Sequence, residues 1–214
     1  RIEFDKQIST ELCGNGSALP VGIGLVILGK SEQGIEQLEK APESREKYMY
    51  LAKAFRQLNE FEKSIESLDK SLAYEADPLL VNMEKTSVYL EAGNYDLARE
   101  VLESCTNFEN VSAEYHFHVG RLEELCGNYN TAKQNYKKAI ELSPNHQQAL
   151  FHLAYRCDME GDEESAIQYY KQAVTINPIL VSALINLAVL YEDLGEYEKA
   201  SRCIEKVLEH HPNH

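Results

Sequence analysis

The sequence is poor in basic residues and lacks a long apolar run. Its 21 lysines and arginines face 35 aspartates and glutamates, which gives a formal net charge of −14. Because phosphate backbones are bound by clustered Lys and Arg side chains, this balance argues against nucleic acid as a direct partner. The longest apolar stretch, residues 19–29, is broken by Pro20 and by glycines and is shorter than the ~20 residues that a membrane helix needs. No nucleic-acid partner and no membrane partner are therefore expected.

Cysteine is also scarce, and its five copies form no C-x-x-C pair. An odd number of widely spaced cysteines is typical of reduced thiols rather than of a disulfide framework. This cysteine pattern predicts a cytoplasmic location. No charged and then apolar signal segment precedes the fold. The chain begins at Arg1 rather than at methionine, which indicates a fragment or processed form of a longer protein.

What the sequence does contain is a repeat of 34 residues. The stretches GNYNTAKQNYKKAIELSP, GDEESAIQYYKQAVTINP and GEYEKASRCIEKVLEHHP begin at residues 127, 161 and 195. When Gln147 is taken as position 1, positions 8, 20 and 27 are mostly small. Position 24 is bulky in every copy (Leu38, Leu68, Leu102, Tyr136, Tyr170 and Ile204), and position 15 holds Gly29, Asn59, Gly93, Gly127, Gly161 and Gly195. This regularity indicates an array of similar modules.

Each repeat predicts two amphipathic helices. Positions 4, 7, 8 and 11 recur at helical spacing, and so do positions 20, 24 and 27. Glycine or asparagine at position 15 suits the left-handed conformation that ends the first helix, and Pro144, Pro178 and Pro212 at position 32 end the second. Small residues allow two helix axes to approach closely. One hairpin cannot bury its apolar face alone, so the hairpins are expected to stack.

These residues resemble the tetratricopeptide repeat family. The family signature is W-x-x-L-G-x-x-Y in the first helix, then A-x-x-x-F-x-x-A and a proline. The repeat from Val181 matches it at Leu184, Leu187, Ala188, Tyr191, Ala200, Ile204, Val207 and Pro212, and the resemblance covers roughly residues 15–214. It implies an all-α fold, a right-handed α-solenoid of about six helix-turn-helix repeats, and a role in binding proteins or peptides rather than in catalysis.

The predicted boundaries form a single solenoid domain. They are an N-terminal capping helix over residues 1–14, a degenerate first repeat over 15–44, and repeats 2 to 6 over 45–78, 79–112, 113–146, 147–180 and 181–214. The capping helix is predicted from the helical spacing of Phe4, Ile8 and Leu12. The first repeat is four residues short, and Pro42 predicts that its second helix ends early.

The middle of the array is irregular. Lys85 and Glu123 occupy the core positions 7 and 11, and Asn82 and His116 occupy position 4, where a large apolar residue is usual. One interpretation is local degeneracy, with the Lys85 ammonium reaching solvent and Glu123 at a groove edge. The other is a softer joint, or a polar binding feature, around repeats 3 and 4. Both stay open at this point.

The sequence contains no combination of residues typical of catalysis. The glycines at residues 14–16 and 22–24 do not form G-x-G-x-x-G, and no strand precedes them. His116 and His118 are two residues apart, so on a helix they face different directions, unlike an i, i+4 pair that chelates a metal ion. We therefore predict no enzyme activity, no cofactor and no metal site.

The family geometry implies that positions 2, 5, 6, 9, 12 and 13 line a concave groove. Aromatic, histidine and basic side chains there can hold an extended or helical peptide by hydrogen bonding and stacking. The predicted partner-binding residues are Tyr50, Lys53, Ser87, Phe117, His118, Arg121, Phe151, His152, Tyr155 and Asn186. Within this set His118 and His152 are either a pH-sensitive pair or ordinary groove histidines. No three successive repeats supply the Lys, Asn and Arg set with which related co-chaperones grip a C-terminal carboxylate.

Three further hypotheses stay open. No solvating helix follows the last hairpin, so the apolar outer side of residues 199–209 is a candidate surface for a homo-oligomer. Alternatively, the chain is the recognition arm of a larger enzyme. The last two repeats also resemble, more loosely, bacterial proteins in which tetratricopeptide repeats precede a domain like the C-terminal domain of the RNA polymerase α subunit. That resemblance implies a transcription-linked partner.

Overall fold

The computed structural model describes residues 17–211, so the predicted capping helix over residues 1–14 and the closing Pro212 lie outside the described residues. Residues 17–211 contain twelve α-helices, one short 3-10 helix and no strand. The helices are α1 (Ala18–Ile27), α2 (Ser31–Glu39), α3 (Arg45–Gln57), α4 (Phe61–Leu72), α5 (Pro78–Glu91), α6 (Tyr95–Glu103), α7 (Ala113–Leu125), α8 (Tyr129–Leu142), α9 (Gln147–Met159), α10 (Glu163–Ile176), α11 (Val181–Asp193) and α12 (Tyr197–His210). The predicted all-α class is confirmed.

The chain divides into two compact units, unit 1 (Arg1–Thr106) and unit 2 (Asn107–His214). In unit 1, α1 packs on α2, α3 on α4 and α5 on α6, and successive hairpins contact each other through α2 with α3 and α4 with α5. In unit 2, α7 packs on α8, α9 on α10 and α11 on α12, and the hairpins contact each other through α8 with α9 and α10 with α11. Each unit is therefore a stack of three helical hairpins.

The turns inside the hairpins have the conformation that position 15 predicts. Asn59 has φ of 59°, and the five glycines at the same position have φ between 72° and 82°. A side chain with a β-carbon is disfavoured in this left-handed region, and asparagine tolerates it better than most residues. The residue at position 15 therefore ends each first helix and sends the chain into the second.

Small residues face bulky ones where the two helices of a hairpin touch. A β-carbon placed on Gly120 would lie 2.6 Å from Tyr136 Cε1, and one on Gly22 would lie 2.7 Å from Leu38 Cγ. Tyr136 and Leu38 are fully buried. Because protein interiors are close-packed, side-chain volume at positions 8 and 24 sets the distance between the helices.

The short first repeat has its own C-terminal cap. Helix α2 ends at Glu39, before Pro42, as the sequence predicts. The buried Lys47, on the next helix, donates from Nζ to the carbonyl oxygen of Ala41 at 3.0 Å and pairs with Glu43 at 2.7 Å. A cation beside the last carbonyls of a helix also interacts favourably with the helix dipole. Lys47 therefore holds the shortened helix in place.

The irregular polar residues in the middle of the array have partners within the protein. These pairs are Lys85 with Asp69, Glu123 with Asn128 at 2.7 Å, Asn82 with Cys105 at 3.3 Å, and His116 with Asn135 at 2.9 Å and with the backbone oxygen of Glu109 at 2.6 Å. Buried polar groups that are already hydrogen-bonded need no ligand. The pairing favours tolerated local degeneracy over a polar binding feature at these positions.

Candidate functional site

A cleft of about 270 Å³ lies in unit 1, between the first helices of two successive repeats. One wall is formed by α3 and the other by α5, and residues of α4 contribute to the floor. The lining comprises Met49, Tyr50, Lys53 and Arg56 on one wall, Leu80, Glu84 and Val88 on the other, and Ala52, Ser64 and Leu68 at the floor. We call this site the unit 1 cleft. It brings together Tyr50 and Lys53, two of the residues predicted from the repeat pattern.

The floor of the unit 1 cleft is apolar, and its one hydroxyl is satisfied. Leu68 and Ala52 are buried, and the buried Ser64 hydroxyl donates to the carbonyl oxygen of Ala52 at 2.8 Å. Leu80, by contrast, leaves 48% of its surface exposed on the α5 wall. The cleft therefore combines a buried apolar floor with a partly exposed apolar rim.

An ion pair crosses the unit 1 cleft. Arg56 on α3 lies 2.8 Å from a carboxylate oxygen of Glu84 on α5 and 3.5 Å from one of Glu91. Arg56 and Glu84 are 28 residues apart in sequence. Leu80, Glu84 and Arg56 occupy positions 2, 6 and 12 of the predicted groove face but were not among the predicted partner-binding residues. The repeat pattern alone does not show which of these side chains meet across two repeats.

Two predicted residues of unit 2, Arg121 and His152, belong to a partly buried polar network. An Arg121 guanidinium nitrogen lies 2.7 Å from His152 Nε2, and His152 Nδ1 lies 3.0 Å from a carboxylate oxygen of Glu124. Arginine can only donate, so Nε2 accepts and the Nδ1 hydrogen is donated to Glu124. The Tyr136 hydroxyl donates to the same oxygen at 2.8 Å. His152 is thus held in one tautomer between a cation and an anion.

This network changes the acidity of two of its members. Burial raises the pKa of Glu124, but the hydrogen bonds from His152 and Tyr136 and the nearby Arg121 charge outweigh it, so the pKa lies below its ordinary value. Burial, together with the Glu124 charge, raises the pKa of Tyr136 above its ordinary value.

Arg156, which the sequence did not single out, stacks on the ring of Tyr129 with its guanidinium carbon 3.9 Å from the ring centroid.

A related arrangement occurs one repeat later. Asn186 donates from Nδ2 to the hydroxyl of Tyr170 at 2.7 Å, and Tyr170 is fully buried. Asn186 and His152 share position 6, and Tyr170 and Tyr136 share position 24 of the preceding repeat. The structure therefore places both position 6 side chains against a buried tyrosine of the neighbouring repeat.

Two further predicted residues of unit 2, Phe117 and His118, are buried. Phe117 is buried, with ring centroids of His118 and His152 at 5.2 and 5.8 Å from its own. His118 is buried too, with Nε2 4.0 Å from a carboxylate oxygen of Glu114. Each member of the predicted histidine pair thus lies beside a carboxylate.

Three predicted residues lie at or near the surface. Phe151 is half-buried, Tyr155 is exposed, and the Ser87 hydroxyl donates to the backbone oxygen of Met83 at 3.3 Å.

Across residues 17–211, no three His, Cys, Asp or Glu side chains are grouped as metal ligands. In that part of the chain, too, no helix is both long and apolar enough to cross a membrane.

Two segments match models of the tetratricopeptide repeat family, residues 113–146 and residues 159–214. These matches and the solved structures below confirm tetratricopeptide repeats in the chain and the α-solenoid class. No curated protein sequence matches the chain.

Several solved structures are similar in fold. PilF of Pseudomonas aeruginosa aligns with a TM-score of 0.63 and 19% identity over 99% of this chain and 95% of that one. MamA aligns with a TM-score of 0.57 and 22% identity over 74% and 93%. The APC/C hetero-tetramer Cut9–Hcn1 aligns with a TM-score of 0.69 and 17% identity over 92% of this chain and 40% of that one. At such identities the likeness establishes the fold alone.

Proposed function

We propose that the protein is a non-catalytic interaction module that holds a segment of a partner protein against the first helices of its repeats. The observation that carries this proposal is the unit 1 cleft, where the predicted residues Tyr50 and Lys53 lie with the exposed apolar side chain of Leu80. The tetratricopeptide repeat matches support it, since no catalytic family is among them.

The unit 1 cleft suits a peptide side chain better than a metabolite. Its volume of about 270 Å³ lies just below the ~300–1,000 Å³ typical of small-molecule sites. Met49 and Leu80 offer apolar surface to one aliphatic or aromatic side chain, and Tyr50 adds an amphipathic ring with a hydroxyl. Burying the exposed part of Leu80 under such a side chain supplies the driving force.

The chemistry of the thiols supports a non-catalytic role. Burial raises the pKa of the Cys157 and Cys203 thiols above the ordinary value. Because the thiolate is the nucleophile, a raised pKa lowers reactivity at neutral pH.

The proposal assigns two roles to the predicted residues of unit 2. Tyr155 and Phe151 offer contact surface to a partner. His152 and Asn186 instead hold one repeat against the buried tyrosine of the preceding repeat. Substitution of His152 or Asn186 is therefore expected to reduce stability, whereas substitution of Tyr155 is expected to reduce binding.

The test is a selection of random peptides displayed on phage against the protein, followed by affinity measurement by fluorescence polarisation. The double variant Tyr50→Ala/Leu80→Ala should lose about tenfold or more in affinity, as expected for truncating two central contacts. The double variant Tyr197→Ala/Leu97→Ala is the matched control, because both side chains are exposed and neither lines the cleft. Enriched peptides that bind the cleft variant as tightly as the parent protein would contradict the proposal.

Self-association is the second candidate, and one observation favours it. Ile204 leaves 39% of its surface exposed, whereas its five equivalents at position 24 are at most 3% exposed. The outer side of α12 therefore presents an apolar surface that a second copy of the chain could cover. Sedimentation velocity should then detect a dimer that Ile204→Glu abolishes, and a monomer at high concentration would exclude this function.

The other hypotheses receive no further support. The family matches and structural likenesses concern the helical repeats alone. An enzyme arm or a transcription-linked partner is therefore not part of the proposal. The cytoplasmic location stays a prediction from the cysteine pattern.

A further inference from the structure

We infer that the unit 1 cleft binds a peptide segment in which a carboxylate lies next to an apolar side chain. This inference rests on the proposed function and adds the chemistry of the bound segment. Its basis is the distribution of ion pairs around the cleft, where one wall presents a cation without a counter-charge among residues 17–211.

Lys53 is the exception among the cations of residues 17–106. Residues 17–106 contain ten lysines and arginines. Nine of these have an ion pair, a hydrogen bond, a ring contact or another electrostatic interaction. Lys53 is exposed and has none of these with any residue in 17–211, yet it lines the cleft. Among the cations of residues 17–106, the Lys53 ammonium is therefore the one that can pair with a ligand without losing a partner from the described residues.

The second cation of the cleft is already neutralised. Arg56 is paired with both Glu84 and Glu91. A basic ligand would have to compete with Arg56 for Glu84 and would approach the Lys53 ammonium. An acidic ligand pairs with Lys53 and displaces nothing. Charge complementarity at the cleft therefore favours a carboxylate, even though the net charge of the chain is −14. Distant charges are screened beyond about 8 Å at physiological ionic strength.

The position of Lys53 fixes how close the carboxylate must be to the apolar side chain. Met49 and Lys53 are four residues apart on α3, so they share a face about one helical turn apart. One turn is about 5.4 Å, and an extended peptide advances about 3.3 Å per residue. A side chain between Met49 and Leu80 therefore places the carboxylate of the residue two positions away, on the same face of the extended peptide, within reach of Lys53.

The test uses four peptides with acetylated and amidated ends, titrated into ¹⁵N-labelled protein and followed by NMR. The sequences are Gly-Asp-Ser-Leu-Ser-Asp-Gly, the same peptide with lysine in place of aspartate, the same peptide with asparagine in place of aspartate, and the acidic peptide with serine in place of leucine. The first should bind most tightly, with amide shifts confined to residues 49–56 and 80–88. The acidic peptide without leucine tests the apolar anchor.

Charge reversal at Lys53 is the decisive variant. Lys53→Glu should weaken binding of the aspartate peptide about fivefold or more, since an exposed ion pair contributes up to ~1 kcal/mol and repulsion adds to its loss. The same variant should bind the lysine peptide more tightly than the parent protein does. Lys171→Glu, an exposed lysine on α10, is the matched control and should change neither affinity. Circular dichroism confirms that each variant is folded.

The outcomes separate this inference from the function on which it rests. If the lysine or asparagine peptide binds at least as tightly as the aspartate peptide, or if Lys53→Glu has no more effect than Lys171→Glu, the inference is wrong. In that case, phage-selected peptides that depend on Tyr50 and Leu80 but lack acidic residues would leave the proposed function standing. If neither the four peptides nor the selected ones shift cleft amides, both are wrong.

Discussion

Gly120→Ala is the substitution for which the structure reverses the usual expectation. In a helix interior, replacing glycine by alanine normally stabilises by about 0.5–1 kcal/mol. Here the new methyl carbon would lie 2.6 and 2.7 Å from two ring carbons of Tyr136. That ring is fully buried, and its hydroxyl is held by Glu124, so it has little freedom to move. Overpacking of this kind costs about 1–3 kcal/mol. The expected net result is a destabilisation of about 0.5–2 kcal/mol.

The assay must report on unit 2, because the chain forms two compact units. Native-state hydrogen exchange of the α7 and α8 amides gives a local free energy of opening, and urea unfolding followed by circular dichroism gives the global curve. Tyr136→Leu serves as the second arm of a double-mutant cycle. With the ring removed, Gly120→Ala should become neutral or stabilising, a coupling of about 1 kcal/mol or more. Stabilisation by Gly120→Ala in the parent protein would refute the reasoning that position 8 must be small beside position 24.

Two further predictions concern charged groups. Lys47→Met should destabilise unit 1 by about 1–3 kcal/mol in urea unfolding, because the buried carbonyl contact at Ala41 loses its donor; the exposed Lys40→Met is the control and should change little. The lowered pKa of Glu124 means that its charged form is favoured by folding, so its contribution is present above the unfolded pKa, near 4.5, and is lost as pH falls through the lower folded value. Unfolding curves between pH 6 and 3 should therefore lose part of their acid dependence in Glu124→Gln but keep it in the exposed control Glu141→Gln.

The sequence predicted the hairpins because their determinants are local. The turn at position 15 depends only on the backbone conformation of Asn59 or of the glycine there. The small residue at position 8 and the bulky residue at position 24 that it contacts lie within one repeat. The early end of α2 followed from Pro42 in the same way. These features can be read from a single 34-residue period.

The site was less predictable because it depends on contacts between repeats. Tyr50 and Lys53 were identified by their positions, but the pairing of Arg56 with Glu84 spans 28 residues and depends on how α3 and α5 pack. One signal was available and not used. A buried tyrosine usually has a hydrogen-bond partner. The tyrosines at position 24 therefore indicate that a polar residue of unit 2 forms a hydrogen bond with a buried hydroxyl instead of facing the groove.

The contacts that the position 24 tyrosines make with the following repeat make the modules of unit 2 dependent on their order. The Tyr170 hydroxyl accepts a hydrogen bond from the amide of Asn186, which lies in the following module. The Tyr136 ring likewise stacks on His152 of the module that follows it. If a module with leucine at that position, such as the one containing Leu68, were spliced in front of Asn186, the amide would face a hydrocarbon side chain. Shuffled arrays built from this chain will therefore retain stability only when each tyrosine-bearing module is followed by its own polar neighbour.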